Sequence, residues 1–199
     1  MAETGQRTPS RDVGQALVDA AERVLVRDGL AGVTVRAVAT EAGVAPMGVY
    51  NRFGNKDGLV AAVLIRGFDG LTAAITESVV ADPTRRLMEC GRDYRRFAQA
   101  NPQHYEAMFG PAMTATERAE GQTAELVEHA TASFGALVDN VVQAMDAGVL
   151  RRADPTATAQ VIWSAVHGAV SLELAGVVQT EDPASSFEQL MGIVLRGLV

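Results

Sequence analysis

Apolar residues recur along this chain at intervals of three and four, which is the spacing of one face of an α-helix. The first such stripe follows Ser10, a residue type that caps helices, and it ends at Asp28-Gly29. No stretch alternates apolar and polar residues convincingly, as a half-buried strand would. The pattern therefore predicts an all-α fold that opens with a helix over residues 10–28.

Pairs of a capping residue and a proline mark the starts of the later helices, because proline fits the first helical turn and the preceding side chain can cap it. These pairs are Asp82-Pro83, Asn101-Pro102, Asp154-Pro155 and Asp182-Pro183. Gly148 ends another long apolar stripe. Besides a helix opening at Pro102, the pattern predicts helices over residues 84–100, 115–147, 155–178 and 183–199.

Two short amphipathic helices joined by a tight turn lie between residues 33 and 59. In the first, Val35, Val38 and Ala39 share one face, which must pack inward. Gly43 follows where the chain has to leave the helix, a place that usually needs positive φ and therefore favours glycine. This arrangement is typical of a helix-turn-helix, and with the first helix it predicts a three-helix domain.

The second short helix has an inward and an outward face. Val49 and Phe53 lie four residues apart and can anchor it to the first helix. In a helix-turn-helix, the opposite surface enters the major groove of DNA. That surface carries Met47, Gly48, Asn51 and Arg52. Asn55 can cap a following helix, which places Lys56 at an N-terminus suited to a phosphate oxygen.

The same segment resembles the TetR family of bacterial transcriptional repressors. The resemblance is carried in order and spacing by Thr34, Ala42-Gly43-Val44, Tyr50, Phe53 and Lys56. It implies a ligand-responsive regulator whose second short helix reads DNA. The residues that it implies for phosphate contacts are Thr34, Arg36, Tyr50 and Lys56. Those that it implies for base edges are Pro46, Met47, Gly48 and Asn51.

Two positions depart from the family's pattern. Ala45 stands where a capping Ser or Thr is common, so a cap worth roughly 1 kcal/mol is missing. Pro46 offsets part of that loss, because its fixed φ suits the first helical position. Asn51 stands where histidine is frequent, so the operator sequence cannot be transferred from a relative.

The C-terminal part carries a second resemblance. The segment from Tyr94 to Gly110, followed by Trp163, His167 and Gly168, resembles the TetR-type effector domain named for its Trp-His-Gly signature. That resemblance implies a pocket for a small, hydrophobic effector, although large side chains at helical spacing are often plain core. The candidate ligand contacts are Phe68, Tyr94, Phe97, Tyr105, Met108, Phe109, Met113, Phe134, Trp163 and His167.

The predicted helix from Thr156 to Val178 is apolar nearly all round, so one face must pack on its own subunit and another on a partner. With the last helix it predicts a homodimer interface. Two recognition helices would then meet successive major grooves about 34–36 Å apart, on a near-palindromic operator. The predicted domains are residues 1–55 for DNA binding, with a flexible tail over 1–9, and residues 56–199 for effector binding and dimerisation.

Charge is distributed unevenly along the chain. The net charge of −7 argues at first against a nucleic-acid partner. Residues 1–66, however, hold eight Lys and Arg against seven Asp and Glu, whereas the remainder holds nine against seventeen. The N-terminal part is therefore slightly positive in front of an acidic body, which fits double-stranded DNA as a partner.

The chain shows no export or membrane signal. Its N-terminus lacks the apolar core of a signal peptide, and its longest apolar run, residues 161–178, is interrupted by His167 and Glu173. The single cysteine, Cys90, excludes an internal disulfide and fits a reducing compartment. These features predict a cytoplasmic protein without a membrane partner.

Enzymatic chemistry finds little support. Ser164, His167 and Glu173 share a helix face, but no nucleophile elbow or oxyanion loop accompanies them. The three histidines lie far apart, without metal-ligand spacing, and no glycine-rich phosphate loop follows a strand. We therefore expect no enzyme, no metal and no cofactor.

Two hypotheses remain at this point. The first is a dimeric transcriptional repressor that a small effector releases from its operator. The second is a helical module that binds a small molecule or a partner without specific DNA readout, which the uncapped Ala45 and the near-neutral N-terminal domain support. A palindrome enriched from random DNA would favour the first.

Overall fold

The computed structural model describes residues 10–77, 80–110 and 123–199 of the chain. All regular structure in these ranges is helical, which confirms the all-α prediction. The helices, numbered in chain order, are α1 Ser10–Gly32, α2 Val35–Ala42, α3 Pro46–Phe53, α4 Lys56–Glu77, α5 Pro83–Ala100, α6 Pro102–Phe109, α7 Ala124–Asp146, α8 Pro155–Leu174 and α9 Pro183–Gly197.

Two compact units make up the chain. The first unit comprises residues 1–67 and 103–127, and the second comprises residues 68–102 and 128–199. Helices α4 and α7 each contribute a segment to both units, and α6 from Gln103 onward belongs to the first. The predicted tail over residues 1–9, the predicted start of the long helix at Ala115 and the candidate contact Met113 lie outside the described residues.

The first unit is built on the apolar stripe of α1. Leu17, Val24 and Leu25 are fully buried, and α2 packs on this helix through Val38. Gly29 has φ 70° and ψ −179°, so the regular helix breaks at the predicted Asp28-Gly29 end although a further turn continues to residue 32. The predicted three-helix arrangement is confirmed.

In the second unit, α5, α8 and α9 begin in the same way. The carboxylates of Asp82, Asp154 and Asp182 accept hydrogen bonds from backbone N–H groups two or three residues further on, and a proline occupies the first helical turn each time. These caps satisfy donors that a helix N-terminus otherwise leaves open. The predicted starts are confirmed within a residue.

Helix α8 is shorter than its apolar pattern suggested. The sequence predicted a helix to about Val178, but the structure ends it at Leu174. Gly176 adopts φ 68°, and Val177 N–H donates back to the carbonyl of Leu172. A glycine in this left-handed conformation terminates helices, so the apolar residues beyond it lie outside α8.

Helix α4 is long and apolar enough, by length and composition alone, to cross a membrane. Its most apolar window has a mean hydropathy of 1.6, and half of that window is buried inside the protein. Such burial is typical of a helix in a protein core.

Candidate nucleic-acid interface and effector site

The turn between α2 and α3 has the geometry of a helix-turn-helix. Thr34 caps α2, because its hydroxyl oxygen accepts a hydrogen bond from Ala37 N–H at 3.2 Å. Gly43 has φ 67°, as predicted, and Val44 N–H donates to the carbonyl of Ala39 at 2.9 Å. The hydroxyl proton of Thr34 can still be donated, since its oxygen acts as the acceptor in the cap.

Helix α3 has one covered face and one open face. Val49 is fully buried and Phe53 is half-buried, in agreement with their expected anchoring roles. Met47 is 64% exposed, and Tyr50 is exposed as well. Pro46 and Asn51 are also exposed, whereas Gly48 is half-buried. The candidate base-reading side chains therefore lie on a surface that the first unit leaves open.

Ion pairs neutralise much of the first unit away from this surface. Arg23 and Arg27 bond Glu41 at 2.7 and 2.9 Å, and these guanidiniums hold the pKa of Glu41 below its usual range. Arg66 bonds Asp19 at 2.5 Å and Glu22 at 2.9 Å, and its hydrogen bond lowers the pKa of Asp19. These cations are occupied by carboxylates of their own chain.

The cations next to α3 are not occupied in this way. Arg36 on α2, Arg52 at the end of α3 and Lys56 at the start of α4 are exposed, and none of them pairs with a carboxylate in the part of the chain that the structure describes. The small positive charge counted from the sequence is thereby available around the recognition helix. Unpaired surface cations are the groups that phosphates attract.

The start of α4 is capped by a side chain. Asn55 Oδ1 accepts a hydrogen bond from Gly58 N–H at 2.8 Å, as its predicted capping role requires. Arg52, which sequence reasoning placed only on the outward surface, lies against Gly14 of α1, where an added Cβ would fall 2.6 Å from Arg52 Nε. Because Gly14 has no side chain, the Arg52 guanidinium can lie against α1 beside α3. The sequence alone did not indicate this role of Gly14.

Four of the candidate effector contacts form one cluster in the second unit. The ring of Trp163 lies 5.2 Å from that of His167 and 6.1 Å from that of Phe134. Tyr94 OH lies 2.8 Å from His167 Nδ1 and 3.4 Å from Trp163 Nε1. The cluster therefore has a polar chain running through its aromatic rings.

The direction of one of these hydrogen bonds follows from its chemistry. The Trp163 indole can only donate, so the Tyr94 oxygen accepts from it. The second hydrogen bond joins the Tyr94 hydroxyl to His167 Nδ1. Burial lowers the pKa of His167, so the ring is neutral near pH 7. The cluster offers a neutral polar surface.

The remaining candidates are divided between the units. In the second unit, Phe97 is buried against Gly70 of α4, where an added Cβ would lie 3.3 Å from its ring; Phe68 is half-buried on the same helix. In the first unit, the rings of Tyr105 and Phe109 on α6 are 5.2 Å apart.

Helix α6 is fixed to α1 and α4 within the first unit. Met108 lies so close to Gly67 that an added Cβ would fall 2.8 Å from its sulfur. His104 Nε2 lies 3.3 Å from Glu22 Oε1, and Glu22 also bonds Arg66. The glycine and these polar groups join α6 to the helices that carry the helix-turn-helix.

The structure separates the residues that a hydrolase would bring together. Glu173 is bonded by Arg95 Nε at 2.8 Å and by Gln99 at 2.9 Å, while Ser164 is exposed and accepts from Gln160. Sequence reasoning did not foresee the Arg95 pair.

Within the described ranges, no group of three or more His, Cys, Asp or Glu could hold a metal ion. Burial raises the pKa of the Cys90 thiol to about 11.

Comparison with known proteins identifies relatives of similar length. An HTH-type transcriptional regulator of Mycobacterium tuberculosis is 24% identical over 202 residues, covering 86% of this chain and 85% of its own. A protein of unknown function from Rhodococcus sp. RHA1 has a TM-score of 0.82 at 24% identity, covering 100% of this chain and 99% of its own. A TetR family transcription regulator from Marinobacter aquaeolei VT8 has a TM-score of 0.71 at 17% identity, covering 96% and 98%. These solved structures share the fold.

Two family models match the chain itself. The model described as bacterial regulatory proteins of the tetR family matches residues 17–63, which hold the helix-turn-helix. The model described as a tetracyclin repressor-like C-terminal domain matches residues 87–194, more than half of the chain. The chain belongs to the TetR family of bacterial DNA-binding transcriptional regulators.

Proposed function

We propose that the protein is a dimeric repressor that a small effector releases from a near-palindromic operator. The observation that carries this proposal is the open face of α3, beside which Arg36, Arg52 and Lys56 pair with no carboxylate of the described residues. In this assignment Thr34, Arg36, Tyr50 and Lys56 bind phosphates, and the base-edge contacts come from Pro46, Met47, Gly48 and Asn51. Such a regulator acts in the cytoplasm.

The dimer is assigned to α8 and α9. The inward face of α8 carries Ile162 and Val170, both buried, whereas its opposite face leaves Val161 and Leu172 more than half exposed. On α9, Ile193 is likewise exposed. Exposed apolar residues on two helices support an interface in which each copy covers the other.

The effector site is assigned to the second unit, around the cluster of Tyr94, Phe134, Trp163 and His167. The spacing of Trp163, His167 and Gly168 supports the Trp-His-Gly type of effector domain. In this proposal Phe68 and Phe97 complete the site within the second unit. The aromatic surface suits an effector with a large apolar part.

Within the first unit, α6 contacts Gly67 of α4 and bonds α1 through His104. The proposal assigns to these contacts the transfer of a shift of α6 to the helix-turn-helix. The effector has to bind the arrangement that does not fit DNA more tightly than the one that does. A hundredfold preference corresponds to about 2.7 kcal/mol of coupling.

The proposal is tested by selecting binding sequences from random DNA with the purified protein. Enrichment of a near-palindrome supports it, and salt-sensitive binding without sequence preference favours the alternative, a helical module that has lost specific readout. The alternative draws on α3, whose N-cap Ala45 makes no side-chain cap hydrogen bond. Selection thus decides between the two.

The phosphate contacts are tested on the enriched site by varying salt. Lys56→Ala removes one phosphate contact in each half-site. The logarithm of the association constant for DNA should therefore fall less steeply with the logarithm of the salt concentration, by about 0.9 in slope per half-site. Arg23→Ala is the matched control, since Arg23 is paired with Glu41 on the same unit. If both variants keep the wild-type slope, the phosphate assignment is wrong.

A further inference from the structure

Asp93 is a buried carboxylate in the middle of α5. Its side chain is only 7% exposed, although aspartate is rarely buried this deeply. Oδ1 accepts a hydrogen bond from Arg96 Nη2, and the Arg96 side chain is 60% exposed. Oδ2 is covered and has no hydrogen-bond partner among the residues that the structure describes. The carboxylate thus has one oxygen at the edge of the fold and one inside it.

A covered carboxylate oxygen without a hydrogen bond is costly, because burial removes water and supplies nothing in return. The pair with Arg96 does not explain the burial of both oxygens, since it requires only Oδ1. The inward oxygen therefore requires an explanation of its own.

The surroundings of Asp93 connect it with the proposed effector site. Asp93 lies three residues after Cys90 and four before Phe97, so the three share one face of α5. Cys90 is buried, and the Phe97 ring lies against Gly70 of α4. Asp93 therefore lies on a face of α5 that meets α4 inside the second unit.

We propose that Asp93 Oδ2 is the polar anchor of the effector site and that the effector carries an ammonium group on an apolar body. This inference rests on the proposed function, because it names the chemistry of the ligand for the same site. An ammonium donates charge-assisted hydrogen bonds to a carboxylate, and such bonds are about twice as strong as neutral ones. The apolar body packs against Phe97 and neighbouring aromatic rings.

The experiment compares probes that share one chain and differ in the head group. Decylamine, decanol and decanoate are titrated into the wild-type protein at pH 7 by calorimetry, without DNA. Decylamine, which is protonated at this pH, should bind at least tenfold more tightly than the other two. Tighter binding of decanoate or decanol, or no binding of decylamine, would overturn the proposal.

Two substitutions separate an anchor from a structural role. Asp93→Asn keeps the shape and removes the charge, so the affinity for decylamine should fall at least tenfold while that for decanol stays within threefold. Arg96→Gln removes the competing cation and leaves Asp93 in place, so decylamine should bind more tightly. Glu128→Gln, on an exposed position of α7, is the control and should change neither affinity.

If Asp93 serves only to hold Arg96, both substitutions should change decylamine binding in the same direction, and the proposal is wrong. If Asp93→Asn does not fold, Arg96→Gln still decides the question by the sign of its effect. Operator binding is measured separately. If decylamine binding depends on Asp93 but does not change the affinity for the operator, Asp93 is confirmed as the anchor and the proposed regulatory coupling is refuted.

Discussion

The open face of α3 and the aromatic cluster of the second unit treat polar groups in opposite ways. Around α3, Arg36, Arg52 and Lys56 lie in water without a carboxylate partner in the described part of the chain. In the cluster, Tyr94 bonds both His167 and Trp163. In the part of the chain that the structure describes, the surface proposed for DNA leaves its cations without carboxylates, whereas the aromatic cluster bonds its polar groups to one another.

This difference has an energetic consequence. Substitutions on the open face should weaken binding and leave stability unchanged, because the side chains contact little within the protein. Substitutions in the cluster should lower stability and leave binding of effector-free protein to DNA unchanged. An effector that enters the cluster has to compete with hydrogen bonds that already exist there.

The largest effect is expected at the second open surface, the exposed face of α8. Leu172→Arg places a charge in the proposed dimer interface, where Leu172 is 55% exposed in the single chain. Loss of the dimer separates the two half-site contacts, so operator affinity should fall at least about a hundredfold. Light scattering measures the loss of the dimer, and a mobility-shift assay measures the loss of operator affinity. Val142→Glu on α7 is the control and should change neither dimerisation nor operator affinity. A Leu172→Arg variant that stays dimeric would refute the proposed interface.

Asn51→Ala tests the open face of α3 itself. Loss of one base contact should reduce affinity for the selected operator by about 1–3 kcal/mol, while affinity for scrambled DNA stays the same. The free energy of unfolding should stay within about 0.5 kcal/mol of wild type, because the side chain is exposed. Fluorescence anisotropy and urea unfolding measure the two quantities. An equal loss on scrambled DNA would make Asn51 a phosphate contact.

Gly67→Ala tests the contact that joins α6 to α4. The added Cβ would approach the Met108 sulfur to 2.8 Å, so unfolding free energy should fall by about 1–3 kcal/mol. Gly135→Ala on α7 is the control, because a Cβ there meets nothing within 4 Å, and it should raise stability by up to about 1 kcal/mol. Met108→Ala should cost less stability in the Gly67→Ala background than in the wild-type protein, because it also removes the clash. Strict additivity of the two changes would contradict the contact.

Tyr94→Phe removes the hydroxyl that links Trp163 and His167 and leaves the ring in place. The unfolding free energy should fall by about 1 kcal/mol, since buried hydrogen-bonding groups lose a partner. Affinity of effector-free protein for the operator should not change. A variant with reduced DNA binding and full stability would reverse the contrast between the two regions.

The smallest effect concerns His167 and pH. Burial lowers its pKa in the folded protein, so the unfolded chain binds the proton more readily. Stability should therefore decline as pH falls below about 6.5, the ordinary pKa of histidine. His167→Phe should remove that part of the pH dependence, whereas His129→Asn should retain it. If the free energy of unfolding depends on pH in the same way in wild type and His167→Phe, burial of the His167 ring does not contribute to that dependence.

The sequence predicts those parts of the fold that depend on neighbouring residues. The caps at Asp82, Asp154 and Asp182 and the positive φ of Gly43 are local events, and all were predictable. The end of α8 was predicted too late, because apolar side chains continue beyond Gly176.

Features that depend on distant parts of the chain were not predictable. The buried state of Asp93 and the bonding of Glu173 by Arg95 arise only when separate helices pack together. The same holds for Met108 against Gly67. For α3, by contrast, an eight-residue amphipathic pattern already separated its buried Val49 from its exposed positions.

The buried thiol of Cys90 has a practical consequence. With its pKa raised to about 11, the thiol is protonated at neutral pH and is shielded from alkylating reagents. It is also the single cysteine of the chain. The rate at which such a reagent labels the native protein therefore reports how often the interior around α5 opens, and slower labelling in the presence of a compound would identify ligands without any DNA.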